Sequence, residues 1–353
     1  LAAAFRGEVD PNSLPALFES GIEGTDLAWL TSFAVDALRQ DWESGTGRLG
    51  SVFLARTDRL GDAPKPVWDA ESGRAFIEAI GNLTAIPSNL SARLTELFVN
   101  AGLVLPPAAR SAASQPAGHL LQLTRAVEYA GYARKPTTED ALAVSSLADE
   151  EVDSAEIERV AAEWAEQLFS MIELDAIAQL PFELRACLGA FVRGYGDDEM
   201  GERIARDSGG RALAVDYGYV AAVREILEAL DARLDDLHAG RFPYVADHLV
   251  EGHDAVTIGR AFQVASFEDG AWFAELADRL LPRIVVAPNA SKTVPSQALA
   301  HVLARSTAEY PTPESVEGLA EALRIVRHAG LQKKLDRALR LARKGLAESG
   351  RSI

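Results

Sequence analysis

Apolar residues recur at three- and four-residue intervals along most of the chain, the period of one face of an α-helix. Leu27, Leu30, Phe33, Ala34, Ala37 and Leu38 share one face of a helix that Thr25 can cap. A second run starts at Ser154 and sets Ile157, Val160, Ala161, Trp164, Leu168, Met171 and Ile172 at helical spacing. Val220, Val223, Leu227, Leu230, Leu234 and Leu237 alternate strictly by three and four. That seam is shorter than three heptads, which predicts a packed helix hairpin and not a free-standing zipper. Only Arg283 to Ala287, RIVVA, reads as a strand.

Helix starts between Thr25 and Leu331 recur about every 20 residues, or about 40 per helix pair, the period of HEAT and armadillo repeats. No residue pattern returns at a fixed offset. The expected fold is therefore all-α, an irregular HEAT/armadillo-like α-solenoid of stacked helix pairs, with a non-repeat helical bundle as the alternative. The run LPPAARSAASQPAG at 105–118 is the clearest break. It predicts a linker or surface loop between an N-terminal helical region, 1–104, and a helical-repeat region, 119–353, that ends in a basic helix pair.

That last pair has the most complete local signals. Thr312 is placed to cap a helix, Pro313 takes its first position and Glu314 its first turn. Val316, Leu319, Ala320, Leu323 and Val326 form its apolar face, with Gly330 expected to end it and His328 to help close its C-terminus. In the following helix Leu331, Leu335, Ala338, Leu339, Ala342 and Leu346 lie on one side. Lys333, Arg337, Arg340 and Lys344 fall together on the other, flanked by Lys334 and Arg343.

The segment from Val294 to Glu348 resembles part of the large bacterial MolR-like proteins, through TPE at 312–314, RHAG at 327–330 and KKLDRAL at 333–339. The resemblance covers residues 294–348. It implies a helical-repeat region that stands beside a C-terminal domain of unknown function, often with a WGR domain. It implies no catalytic residue at these positions.

Composition narrows the class further. The 353 residues are 48% apolar and 25% charged, a globular balance. No apolar stretch reaches the length of a membrane span, so no membrane contact is expected. The single cysteine, Cys187, excludes an internal disulfide and fits a reducing, cytoplasmic setting. The chain opens on Leu1 and not on Met, which predicts a piece of a longer protein.

Charge is unevenly spread. The net charge of −17 disfavours nucleic acid as a partner. Residues 311–353 nevertheless carry nine cations against five anions, whereas 138–175 holds twelve acids and one base, Arg159. Asp336 is the only acid between Ala322 and Ala347, so the basic stripe has few neutralising neighbours.

Catalytic signatures are sparse. No Gly-Lys pair exists for a Walker loop. Gly194-Tyr195-Gly196 is followed by Asp197, Asp198 and Glu199, which would repel a pyrophosphate, and reads as an acidic turn. Asp247, His248, Glu251, His253 and Asp254 form the densest group of ligand-type residues. His248 and His253 would project about 140° apart on a helix, so a shared metal is not expected. Cys187 sits in an apolar run and reads as a small core residue.

Three functions follow from these readings. The leading one is a non-catalytic helical-repeat scaffold of a larger bacterial protein, with no cofactor and no metal. Its interaction surface would be Lys333, Arg337, Arg340 and Lys344, against an acidic protein surface or an adjacent domain. The alternatives are a regulatory module that binds nucleic acid through the same basic face, and an enzyme with dispersed groups, sought first at Ser291, Lys292, His248, His253 and Asp254.

Overall fold

The computed structural model describes residues 24–39, 45–56, 66–128, 135–193, 200–250 and 252–349. These residues form sixteen α-helices and, among them, no strand. The first eight are α1 (Gly24–Leu38), α2 (Gly45–Arg56), α3 (Ala70–Gly81), α4 (Ser91–Leu103), α5 (Ser114–Glu128), α6 (Thr138–Leu147), α7 (Glu150–Trp164) and α8 (Leu168–Ile177). The rest are α9 (Phe182–Arg193), α10 (Met200–Leu213), α11 (Tyr217–His238), α12 (Asp254–Glu268), α13 (Ala271–Ile284), α14 (Gln297–Glu309), α15 (Pro313–Ile325) and α16 (Ala329–Glu348). No helix is long and apolar enough to cross a membrane among the described residues.

Packing divides the described residues into two units, one of those up to Val160 with Pro181–Arg206, the other of Ala161–Leu180 with those from Asp207 on. In the first, α1 packs on α2 and α3, α3 on α4 and α5, α4 and α5 on α6, and α6 on α9. Phe53, Phe76, Ile80, Leu94, Phe98, Leu120 and Val144 are buried in its core. The apolar face expected for α1 is largely buried, but Phe33 is 51% exposed. At 100° per residue Phe33 stands 120° from Leu27, on the edge of the stripe.

The run 105–118 is wound where a linker or loop was expected. Pro107–Ala113 form a 3-10 helix that leads into α5, and Ala113 and Ala117 are fully buried. Proline is tolerated where no helical N–H is needed, at the first turns of such segments.

In the second unit α11 packs on α12 and α13, α13 on α15, α12 on α14, and α14 on α16, while α8 packs on α11 and α12. The strict seam of α11 is buried from Val223 through Leu237. RIVVA is not a strand. Ile284 ends α13, where it continues the buried series Leu276, Ala277, Leu280 and Leu281, and Val285 is buried just beyond. Helical burial of that stripe overrides the strand propensity of two or three β-branched residues. Helices α13 and α15 approach closely at Gly318, where an added Cβ would lie 2.6 Å from the carbonyl oxygens of Ala277 and Asp278.

The run expected as one helix from Ser154 through Ile172 is two. Helix α7 ends at Trp164, and α8 begins after Gln167, whose backbone is extended (φ −108°, ψ 90°). Leu168, expected on the apolar face, is 54% exposed. The break has a tertiary cause in the side chains that tie the start of α8 to the start of α12, described below.

Candidate functional site

The basic stripe stands on α16. Leu331, Leu335, Ala338, Leu339, Ala342 and Leu346 are buried, so the inner face is committed to α14 and α15. Lys333, Arg337, Arg340 and Lys344 are all exposed, as are the flanking Lys334 and Arg343. Leu341 sits among them, 50% exposed, in a shallow depression whose other walls are Lys333, Asp336, Arg337 and Arg340. Arg340 pairs with Asp336, and Lys344 lies 3.7 Å from Glu348. No ion pair reaches Lys333 or Arg337 among the described residues. The field of this region extends inward. Burial first, then Lys334 and Arg305, push the His301 imidazole below its ordinary value.

The local signals that set this helix in place are partly as expected. Thr312 and Ser315 form a reciprocal capping box at the start of α15, with Pro313 at its first position. The following turn differs. Helix α15 stops at Ile325, and His328 opens α16 by accepting from the Leu331 N–H through Nδ1 at 3.3 Å. Gly330 therefore lies in the first turn of α16 and does not close α15. A ring nitrogen with a lone pair serves an orphan N–H as well as a hydroxyl does, which turns a residue expected at a C-terminus into an N-cap.

The acidic segment 138–175 is not one solvated face. Four of its carboxylates are held by arginines. Asp140 pairs with Arg193, Asp153 with Arg185 at 2.5 Å, Glu156 with both Arg125 and Arg159, and Glu173 with Arg260. Burial would raise the Glu156 carboxyl, but the hydrogen bonds and charges of Arg159 and Arg125 outweigh it and hold it below the usual range. Of the remaining eight acids Glu139 is buried, whereas Asp149, Glu150, Glu151, Glu158, Glu163, Glu166 and Asp175 are exposed.

The Glu173–Arg260 pair is the centre of a buried polar cluster in the second unit. Arg260 is fully buried, and Glu173 and Tyr219 nearly so. Arg260 donates from Nε to Glu173 Oε1 at 3.1 Å and from a terminal nitrogen to Oε2, and the Tyr219 hydroxyl donates to Oε1 at 2.6 Å. Desolvation pushes Glu173 up, while Arg260 and then Tyr219 pull it down further, so its carboxyl stays below the ordinary value. Beside the pair, two helix starts cap each other. Asp254, first residue of α12, accepts from the Ser170 N–H and hydroxyl of α8, each at 2.8 Å. Gln167, just before α8, accepts from the His253 N–H at 2.8 Å. A carboxylate at a helix start suits the positive end of the dipole. The sequence signal for this arrangement is thin, since the partners lie more than eighty positions apart.

The ligand-type group at 247–254 is thereby dispersed into structural roles. Asp247 accepts from the Gln297 N–H at 2.5 Å and serves the start of α14. Asp254 serves α8. His253 stacks on Trp164 with ring centroids 4.8 Å apart, and burial, then Arg260, push its imidazole below the ordinary value. His248 lines an open cleft of about 600 Å³ with Glu163, Glu166, Arg233 and Asp254. Glu251 lies outside the described residues. Among the described residues no three His, Cys, Asp or Glu side chains converge as a metal site. Ser291 and Lys292 lie in the turn before α14, where the Ser291 hydroxyl meets Thr293 Oγ1 at 2.6 Å. They are not brought to the His253–Asp254 cluster by any hydrogen bond among the described residues. Cys187 is half-buried, and burial and then Glu183 raise its thiol, which disfavours the thiolate a nucleophile needs. The Gly194-Tyr195-Gly196 turn with its three acids falls outside the described residues.

The described chain is thus an all-helical protein with a buried ionic cluster and an exposed basic helix. No family model, no curated protein and no solved structure matches it.

Proposed function

We propose that this chain is a non-catalytic helical scaffold that presents the outer face of α16 to an acidic protein surface, either a partner or an adjacent domain of a longer bacterial protein. The observation that carries the proposal is the division of α16 into a buried apolar face and an exposed face with four aligned cations. Two of the four, Arg340 and Lys344, are paired with an acid one turn away, and such surface pairs contribute only about 0.3–0.5 kcal/mol each. They leave most of the positive field to an incoming partner. The packing of alternate helices in each unit supports the finer reading of an irregular HEAT/armadillo-like α-solenoid, as does the MolR-like segment at 294–348. A solenoid offers long surfaces for other chains. Glu156, Glu173, Asp254 and His253 support the same reading, because each is committed to an ion pair, a cap or a stack. A reducing cytoplasmic setting fits the single, shielded thiol.

The test is capture of a fluorescent polyglutamate peptide, measured by anisotropy at low salt, with a duplex oligonucleotide as the parallel probe. Binding of the peptide that falls at least tenfold in R337E/R340E is the expected result. Tight, steeply salt-dependent binding of the duplex alone would replace this reading with a nucleic-acid module. Binding of neither probe would reduce the stripe to solvated surface.

A further inference from the structure

We infer that the basic stripe of α16 docks onto a second copy of this chain, in the acidic groove between α8 and α11. The inference rests on the reading of α16 given above and names its partner.

The groove has about 410 Å³ of open volume. Asp175, Asp216 and Glu225 stand around Ile172, Ala176 and Ala222, and among the described residues no lysine or arginine lines it. Asp175 and Glu225 are exposed, whereas Asp216 accepts from the Tyr219 N–H at 2.8 Å as the cap of α11. Two carboxylates are therefore open to a cation from outside. Val215 and Tyr217, 85% and 90% exposed, flank Asp216 in the segment that enters the groove. Large apolar side chains this open to water are what a docked surface would cover.

The stripe matches this groove in chemistry and form. Arg337, Arg340 and Lys344 project from the same side of α16 as Leu341, so a half-exposed leucine stands among three cations. An alanine-lined floor lets a helix approach closely, and the acids around it are placed to meet cations that flank an apolar contact. Planar guanidinium groups suit carboxylates through paired hydrogen bonds. Stripe and groove belong to the same unit, yet the stripe is exposed and neither Asp175 nor Glu225 pairs with it. The complementarity is unused within one chain, which leaves it for two.

Because stripe and groove are different surfaces, the contact is head-to-tail, and a pair of copies keeps one free groove, on one copy, and one free stripe, on the other. One helix in one groove lies at the small end of specific interfaces, under about 1,200 Å², the class of weak and transient contacts. Its driving charges are exposed, so added salt weakens it.

The experiment is sedimentation velocity of the full chain at rising concentration in low salt. The wild type is expected to pass from 37.9 kDa to twice that mass and beyond. Two charge-reversed variants are compared, R337E/R340E and D175K/E225K, both at exposed positions and both checked for helix content by circular dichroism. Asp216 is left alone because it caps α11. Each variant by itself should remain a single chain at concentrations where the wild type associates. An equimolar mixture should associate again, since reversed stripe meets reversed groove and native stripe meets native groove. A wild type that stays a single chain up to about 500 μM, or folded variants whose mixture does not associate, overturns the inference. Capture of polyglutamate by the wild type and not by R337E/R340E would in that case still uphold α16 as a surface for some other acidic protein.

Discussion

Arg260 and Glu173 show what burial asks of a charge. Each ion loses its hydration, and their mutual attraction in a poorly polarisable interior must offset that loss. Here two guanidinium hydrogen bonds and the Tyr219 hydroxyl complete the carboxylate's partners. Replacing Arg260 by Met would strand a buried carboxylate, and we expect a loss of about 3–5 kcal/mol in urea denaturation. The double variant R260M/E173L removes both charges and should recover much of that loss. His253 makes the second residue-scale prediction. Its folded imidazole titrates below the ordinary 6.5, so the unfolded chain takes the proton more readily. Stability from this group is complete above about pH 6.5 and falls as the pH drops through that value towards the folded one. Glu173, depressed below 4.5, adds a loss at lower pH, where the unfolded carboxyl takes up its proton first. Melting temperature should therefore decline between pH 7 and pH 5, and H253F should lessen that decline, His301 supplying the rest, with the decline below about pH 4.5 remaining.

At the scale of elements, close approach outranks propensity. Alanine in place of Gly318 gains about 1 kcal/mol of intrinsic helix preference. Its Cβ would meet two backbone oxygens of α13 at 2.6 Å, and backbone cannot rotate away. We expect G318A to be destabilised by about 1–3 kcal/mol net, the cost of overpacking, and to show it as a lowered urea midpoint with unchanged slope. The capping box of α15 is worth less. Thr312→Ala should cost about 1 kcal/mol, since Ser315 keeps its own bond to the backbone of residue 312. The break between α7 and α8 obeys the same hierarchy. An uninterrupted helix would satisfy its own N–H groups, yet the chain stops at Trp164 because Asp254 and Gln167 tie two helix starts to each other across the unit.

For the whole molecule, the net charge of −17 conceals two populations of charge. The buried carboxylates of Asp140, Glu156 and Glu173 are bound to arginines and are hardly screened by salt, whereas the α16 stripe and the exposed acids of α7 face water. Raising ionic strength from about 50 mM to about 0.5 M shortens the screening length from roughly 14 Å to roughly 4 Å. Peptide capture by α16 should weaken at least several-fold over that range, while the urea midpoint moves little. Equal sensitivity of both measurements would mean that the internal pairs are solvated after all.

What the sequence by itself determined is local. Periodicity placed the seam of α11 and the two faces of α16, because a helix brings residues three and four apart onto one side whatever surrounds it. Thr312 and Pro313 announced α15 for a similar reason, since caps act within one turn. The tertiary structure decided everything that depends on a partner far along the chain. RIVVA became the end of a helix when its apolar residues were buried beside Leu280 and Leu281. Residues 105–118 were wound because Ala113 and Ala117 had a core to enter. His328 changed ends once the turn before α16 had been set. Asp254 met the start of α8 and His253 the ring of Trp164, partners more than eighty positions away. Helix periodicity is written in neighbours, whereas the fate of a buried charge is written in whichever distant side chain folding brings to it.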